Sequence, residues 1–195
     1  MFRSYHMQRK NETLVTRLKK GERKAMEELY DTYSPVLLGI SMRYCDRRED
    51  AEDMLHESLI KILRGIQDFQ ETFQGSFEAW MKRITVNNCL GALRNKMNLV
   101  RLQGSENLKD EMTDDEESGS LVTSLEPQLA IEMIQTLPVG YRTVINLFVF
   151  EKMSHKEIAS TLNISENTSK SQLSKARSLL RKKILTINKT EEVEK

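Results

Sequence analysis

The sequence predicts an all-α protein made of two small helical domains joined by a flexible acidic linker. Prolines are few, three in 195 residues, and hardly any run alternates apolar and polar residues with the period of a strand. Apolar residues recur at helical spacing instead, as at Leu55, Leu59 and Ile62. A long acidic stretch separates this pattern from a second helical one.

Changes in composition place the boundaries of five segments. We expect a basic N-terminal segment over 1–21, a helical domain over 22–98, an acidic linker over 99–127, a second helical domain over 128–185 and a tail over 186–195. Against only Arg101 and Lys109, the linker carries Glu106, Asp110, Glu111, Asp114, Asp115, Glu116, Glu117 and Glu126. A segment of this charge, with little apolar surface to bury, is typical of flexible chain.

Two local signals predict helix starts inside the first domain. Ser34 followed by Pro35 predicts a break, because serine caps a helix and proline fits its first turn. Asp46, three residues before Glu49, has the spacing of a capping box and predicts the start of the next helix.

The composition also bounds the cellular setting. Cys45 and Cys89 lack a spacing typical of pairing and are expected as reduced thiols. The first ten residues hold no apolar run like that of a signal peptide, and no stretch reaches the roughly 20 apolar residues that span a bilayer. We therefore expect a cytoplasmic protein without membrane insertion.

No constellation typical of catalysis is visible. His6, His56 and His155 are scattered and have no metal-ligand spacing with each other or with the cysteines. The sequence predicts a protein that binds, with no catalytic residues, no metal and no cofactor.

The strongest pattern, Ser154 to Leu180, predicts a helix-turn-helix. Ser154 and Glu157 form a capping box that starts the first helix. Asn163 is suited to a left-handed residue that ends it, and Ser165 caps the second helix. Ile158 and Leu162 of the first helix are predicted to face the core, and Ala159 is small, as is needed where two helices cross closely. The second is predicted to direct inward Leu173, Ala176 and Leu180.

The outer face of that second helix is rich in hydroxyl, amide and basic side chains. Amides and hydroxyls can read base edges in the major groove, while Lys and Arg hold phosphates. The predicted DNA-binding residues are Asn167, Thr168, Lys170, Ser171, Gln172, Ser174, Lys175 and Arg177. The alternative is a helical hairpin with a solvated basic face.

A helix of the first domain, from about Phe77 to Met97, carries a second candidate face. Trp80, Arg83, Asn87 and Arg94 recur at spacings of three, four and seven, which aligns them on one side. An aromatic ring, two guanidiniums and an amide could stack on and hydrogen-bond exposed bases. For Trp80 alone, a core position beside Phe77, Met81 and Ile84 is the favoured explanation.

The preceding helix carries Asp50, Asp53 and Glu57 along one ridge. From residue chemistry alone, such a ridge is a solvated helix face. Two rival functions also remain open at this level. The chain could be a stand-alone dimeric helix-turn-helix transcriptional regulator, or a helical adaptor that binds only proteins.

The order and spacing of these motifs resemble those of a sigma-70-family RNA polymerase sigma factor of the extracytoplasmic-function type. In the first domain the matching residues are Asp50 to Asp53, Glu57, Phe77 to Trp80, Arg83, Ile84, Asn87, Leu93 and Arg94. In the second they are Leu137, Pro138, Tyr141, Arg142, Ser154 to Ala159, Leu162 to Ser165, Thr168, Lys170, Ser171, Leu173, Ala176 and Arg177. The resemblance extends over about 22–180.

The resemblance implies a sigma factor that binds core RNA polymerase and directs promoter-specific transcription initiation. The first domain would be region 2, with its acidic ridge docked on the polymerase clamp helices and with the loop over 67–76 and the following helix recognising and melting the minus-ten element. The second would be region 4, with its recognition helix in the major groove of the minus-thirty-five element. The linker would thread toward the RNA exit path, and an anti-sigma factor would be a further partner.

A few positions depart from the family pattern. Ser169 stands where the family usually has an apolar residue, so looser packing is expected there. Gln172 replaces a usual Arg, Thr85 a usual Ala, and Gly91 and Ala92 the usual Asp and Tyr.

Overall fold

The computed structural model describes residues 13–102 and 126–193, and within these ranges the regular structure is helical throughout. The helices are α1 (Leu14–Lys19), α2 (Arg23–Tyr44), α3 (Arg48–Gly65), α4 (Ser76–Leu102), α5 (Pro127–Gln135), α6 (Val139–Ile145), a π-helix (Asn146–Phe150), α7 (His155–Leu162) and α8 (Glu166–Val193). The chain separates into two compact units. The first comprises residues up to Ser41 and Arg47–Leu99, and the second comprises Met42–Asp46 and the chain from Val100. The predicted all-α, two-domain fold is confirmed.

The first unit buries one stripe of each of its four helices. Leu18 of α1, Leu29 and Leu37 of α2, Ile62 of α3 and Met81 of α4 are almost fully excluded from solvent. Burying side chains of this size contributes about 1.5–3 kcal/mol each, so their spacing along the helices determines which faces meet.

The break predicted at Ser34 and Pro35 is wrong, because α2 runs unbroken through both residues. Pro35 is exposed, whereas Leu37 and Ile40 beyond it are buried. A proline inside a helix costs about 3 kcal/mol, and the burial of these two apolar side chains offsets that cost.

The cap predicted at Asp46 is also wrong. The N-cap of α3 is Arg47, which makes no side-chain capping bond, and the helix starts at Arg48. Within the second unit, the Asp46 carboxylate instead accepts a hydrogen bond of 2.6 Å from Nη2 of Arg142, a buried guanidinium. A local capping signal gives way here to an ion pair formed in the folded unit.

A buried polar group joins α3 to α4. Asn88 is 6% exposed, and its Nδ2 donates to the Met54 carbonyl at 3.2 Å and to Ser58 Oγ at 3.3 Å. Nζ of Lys61 donates to its Oδ1. These bonds set the position of α4 along α3.

The second unit packs around Ile134, Ile145, Leu147, Ile158 and Leu180, all nearly inaccessible to solvent. The π-helix widens the backbone by one residue before α7, and its end is marked by a bond of 3.2 Å from Glu151 N to Asn146 O. Such wider turns often occur at functional sites. Here the turn presents the half-buried ring of Phe148 beside α7.

The predicted helix α4 continues to Leu102, into the first residues of the predicted linker. Residues 103–125 of that linker lie outside the described residues, as do most of the predicted basic segment and the last two residues of the tail. At its other end, the linker is shortened by α5, which begins at Pro127.

Candidate nucleic-acid interface

Local hydrogen bonds define the two helices that carry the first candidate face. Ser154 Oγ and the Ser154 backbone N–H donate to Oε2 of Glu157 at 2.7 and 2.8 Å, and Ser154 Oγ accepts from Glu157 N at 3.3 Å. The bonds from Ser154 hold the pKa of the Glu157 carboxyl below its usual value. The predicted capping box is confirmed.

The turn between α7 and α8 follows the predicted chemistry. Asn163 adopts the left-handed conformation, with φ 55° and ψ 49°, which asparagine tolerates better than most side chains. The Ile164 N–H donates to the Ala159 carbonyl at 3.1 Å. Ser165 Oγ accepts from Thr168 N at 2.9 Å, which caps α8. The predicted helix-turn-helix is confirmed.

The predicted contact residues fall on three sides of α8. A buried row holds α8 against the unit and consists of Ser169, Leu173, Ala176 and Leu180. The opposite, outward row consists of Asn167, Ser171 and Ser174, with Thr168 and Lys175 beside it, by the helical repeat of 3.6 residues. Asn167 is exposed, and the Ser171 hydroxyl donates to the Thr168 carbonyl at 3.0 Å, so its oxygen can accept a further bond.

Lys170 and Arg177 lie on the flank of α8 that faces the π-helix and α7. Lys170 is exposed, whereas Arg177 is half-buried, with its guanidinium carbon 5.5 Å from the centroid of the Phe148 ring. This distance allows a cation–π interaction. The ring thus fixes the side of α8 on which the Arg177 charge lies.

Gln172 lies on the other flank and points toward α6. A Cβ placed on Gly140 would be 3.3 Å from Nε2 and 3.4 Å from Oε1 of Gln172. The lack of a side chain at Gly140 therefore admits the Gln172 amide. This packing separates Gln172 from the outward row with which the sequence grouped it.

The first unit carries the second candidate face on α4. Arg83, Asn87 and Arg94 are exposed, and their spacing of four and seven places them on one side of the helix. Trp80 is half-buried, and its ring centroid lies 4.8 Å from that of Phe69 and 6.0 Å from that of Phe77. Trp80 is therefore compatible with both explanations. Its ring packs in an aromatic cluster, as a core residue does, and it retains an accessible part that could stack on a base.

The loop before α4 presents an aromatic residue that the sequence reasoning missed. Phe73 is 65% exposed. The loop around it is fixed by a bond of 3.0 Å from Ser76 N to Phe73 O and by Gly75 at φ 89°. At its base, Lys19 Nζ donates to the Phe69 carbonyl at 2.6 Å. An aromatic residue inside a polar loop was the signal that could have identified it.

The acidic ridge on α3 is accessible. Asp53 and Glu57 are exposed, and Asp50 is partly covered by Arg47, whose Nη2 lies 2.6 Å from Asp50 Oδ1. Lys61 Nζ is 3.8 Å from Glu57 Oε2. Exposed pairs of this kind contribute little to stability, so the ridge remains available to a partner.

Other kinds of site find no support in the part of the chain that the structure describes. Over 13–102 and 126–193, no group of three or more His, Cys, Asp or Glu side chains is arranged to hold a metal ion. None of the helices in these ranges has the length and apolarity needed to cross a membrane.

Comparisons with known proteins agree with this arrangement. The family model "Sigma-70 region 2" matches residues 29–98, and "Sigma-70, region 4" matches residues 128–180. The chain is 29% identical over 185 residues to the ECF RNA polymerase sigma-E factor of Haemophilus influenzae, covering 89% of this chain and 95% of that protein. It is 29% identical over 178 residues to the ECF RNA polymerase sigma factor SigW of Bacillus subtilis, covering 87% and 94%.

A solved structure is also similar. It contains the sigma factor RpoE in complex with the anti-sigma factor NepR from Bartonella quintana, is 20% identical, and covers 82% of this chain and 96% of that chain with a TM-score of 0.47.

Proposed function

We propose residue-level roles for a chain that belongs to the extracytoplasmic-function subfamily of the sigma-70 family. As a sigma factor, it binds core RNA polymerase and directs transcription initiation at specific promoters. The two units divide this work, since the first corresponds to region 2 and the second to region 4.

In the second unit, α8 enters the major groove of the minus-thirty-five element. The observation that carries this role is the outward row of short polar side chains on α8, Asn167, Ser171 and Ser174, opposite the buried row. Amides and hydroxyls read base edges, and lysines and arginines beside them contact phosphates. The phosphates and the rim of the groove are contacted by the residues that flank this row, namely Thr168, Lys170, Lys175 and Arg177. Gln172 has a supporting role, because its amide packs at Gly140.

In the first unit, the exposed face of α4 and the loop before it capture bases of the minus-ten element. Arg83 and Arg94 bind phosphates and Asn87 hydrogen-bonds a base edge, while Phe73 and the accessible part of Trp80 stack on unpaired bases. Extruding a base costs a few kcal/mol, and stacking returns about 1–3 kcal/mol per base. The two terms are similar, so the unit needs polymerase to hold the duplex while it opens.

Asp50, Asp53 and Glu57 dock on a basic surface of the polymerase clamp. The ridge is accessible, and its three carboxylates lie along one side of α3, which suits a charge-complementary contact that increases the association rate. We also propose that the protein works in the cytoplasm, where polymerase and chromosome are found. On the resemblance alone, we propose an anti-sigma factor as a second protein partner.

In vitro transcription of host genomic fragments, by core polymerase with and without this chain, tests the promoter roles. Sequencing of the RNA 5′ ends should give start sites that share two upstream elements. Asn167→Ala should change the base preference at one position of the minus-thirty-five element. Lys175→Gln should lower transcription from all of these promoters, whatever the sequence of that element. Start sites without a shared upstream element would contradict the role of α8.

A further inference from the structure

A histidine at the start of α7 lies among the groups that the proposed promoter contacts use. His155 is the first residue of α7, and its imidazole stacks on the Phe148 ring with 4.8 Å between centroids and 25° between planes. The same Phe148 ring carries the Arg177 guanidinium at 5.5 Å. The π-helix therefore brings a histidine and an arginine onto one aromatic platform.

A hydrogen bond orients this imidazole. His155 Nδ1 lies 2.9 Å from Ser169 Oγ, and Ser169 is fully buried in α8. Ser169 stands where the family usually has an apolar residue, and looser packing was expected there. The buried hydroxyl instead has a partner, and the bond occupies Nδ1, which leaves Nε2 as the ring nitrogen that can bond a ligand.

Two positive charges and one negative charge of α8 act on the ring. Burial, followed by the charges of Lys170 and Arg177, lowers the pKa of His155, and Glu166 opposes this shift. These three charged groups all lie on α8, and the π-helix contributes only the uncharged Phe148 ring. In the free protein, a third positive charge at this place is therefore unfavourable.

We propose that His155 completes a phosphate-binding cluster with Lys170 and Arg177, and that its imidazole takes up one proton when a backbone phosphate of duplex DNA docks there. This inference rests on the proposed role of α8 in DNA binding. A phosphate adds a negative charge between the His155 imidazole and the side chains of Lys170 and Arg177, and this charge favours the protonated imidazolium. The pKa of His155 then rises through the range in which histidine responds to physiological pH.

The proton balance is simple. The charged ring carries N–H groups on both nitrogens, so Nδ1–H donates to Ser169 Oγ and Nε2–H donates to a phosphate oxygen. The proton comes from the solvent and returns there when the DNA dissociates. The bond to Ser169 is therefore retained in both states, and His155 becomes a contact for the DNA backbone without movement of α7.

The test uses the full-length chain and a fluorescein-labelled mixed-sequence DNA duplex, since a phosphate contact does not depend on sequence. Anisotropy titrations over a range of salt concentrations are made at about pH 6 and about pH 8, either side of the usual histidine pKa. His155→Gln removes the titrating ring, and the matched control His56→Gln removes an exposed histidine on α3 of the other unit. All remaining titrating groups are shared by the wild type and both variants.

For the wild type, we expect affinity to rise on acidification by up to about tenfold per pH unit between the free and DNA-bound pKa values, as uptake of one proton requires. The slope of log affinity against log salt should steepen by about 0.9, the value for one additional phosphate contact. His56→Gln should behave like the wild type. His155→Gln should lose both the pH dependence and the change in slope.

A second measurement does not depend on a variant. In the wild-type chain, NMR titration of the His155 ring should give a higher pKa with the duplex than without it. An unchanged His155 pKa, a pH dependence that persists in His155→Gln, or a wild-type chain that fails to bind the duplex at low salt would each overturn the proposal. Failure of the promoter role is distinguished by holoenzyme transcription, in which the wild type would give no shared upstream element.

Discussion

Two adjacent asparagines on α4 have opposite surroundings, and the same substitution should destabilise the fold at one and leave it nearly unchanged at the other. Asn87 is exposed on the candidate DNA face, and Asn88 is 6% exposed between α3 and α4. Asn→Ala changes helix propensity by the same amount at both positions. The difference between the two variants therefore isolates what the Asn88 side chain contributes to the fold.

The magnitude follows from the bonds that Asn88→Ala removes. The variant loses the bonds to the Met54 carbonyl and Ser58 Oγ and the one from Lys61. The Met54 carbonyl still accepts from Ser58 Oγ at 2.6 Å, and the half-exposed Lys61 amine can return to water, so no donor is left buried without a partner. The bond from the half-exposed Lys61 contributes little. At a net 0.5–1.5 kcal/mol for each of the two bonds donated by Asn88 Nδ2, the loss is about 2 kcal/mol in the free energy of unfolding.

Urea unfolding followed by tryptophan fluorescence measures this loss in the first unit. Trp80 is the only tryptophan of the chain and packs against Phe69 and Phe77, so its emission reports that unit's core. With a urea dependence of about 1–3 kcal/mol per molar, the midpoint of Asn88→Ala should fall by roughly 1 M. Asn87→Ala should stay within about 0.5 kcal/mol of the wild type while losing promoter opening. Equal midpoints for the two variants would refute the reasoning.

Substitutions at three further positions test the second unit. Ser154→Ala should destabilise it by about 1 kcal/mol at neutral pH through loss of the cap. Since the folded pKa of Glu157 is lowered, the stability from its ionised form is present above its unfolded pKa and lost as pH falls through the lowered value. The difference in melting temperature between the wild type and Ser154→Ala should therefore become smaller in acid. A difference that stays constant with pH would contradict this linkage. Asn163→Gly should equal or exceed the wild type in melting temperature, whereas Asn163→Ala should cost about 1 kcal/mol, because φ is 55° there; equal effects would exclude backbone conformation as the cause. Lys170→Gln should weaken binding to all duplexes alike in anisotropy titrations and reduce the salt slope by about 0.9, while a sequence-dependent loss would indicate base contact instead.

Local signals predicted the helix-turn-helix well because its ends are determined locally. The capping box at Ser154, the left-handed Asn163 and the cap at Ser165 each involve residues within four positions of one another. None of these bonds takes its partner from a distant part of the chain. The buried row of α8 followed directly from its helical spacing.

Tertiary packing overrode the local signals at Pro35 and Asp46. Pro35 was expected to start a helix, but the buried stripe continues past it to Ile40 in one helix. Asp46 had the spacing of a cap, but its carboxylate pairs with Arg142, which is 96 residues away in the sequence. No window of sequence contains both partners of such a contact.

The candidate DNA faces were predicted in outline and refined by packing. Periodicity placed Arg83, Asn87 and Arg94 together, and these residues are exposed on one side of α4. It could not show that Gln172 packs at Gly140, since that contact joins different helices. The exposure of Phe73 was equally hidden, because it depends on how the loop is held at its base.

Binding to core RNA polymerase through the ridge on α3 is the central claim, and co-purification tests it most directly. The wild type is compared with a variant in which Asp50, Asp53 and Glu57 are all changed to Lys. The control reverses Glu27 and Asp31, exposed acidic residues on α2, in the same way. We predict that the wild type and the control co-purify with core polymerase and that the ridge variant does not. The Trp80 emission of the ridge variant should match that of the wild type, which shows that the variant is folded. Retention of the folded ridge variant by polymerase at the wild-type level would contradict the account.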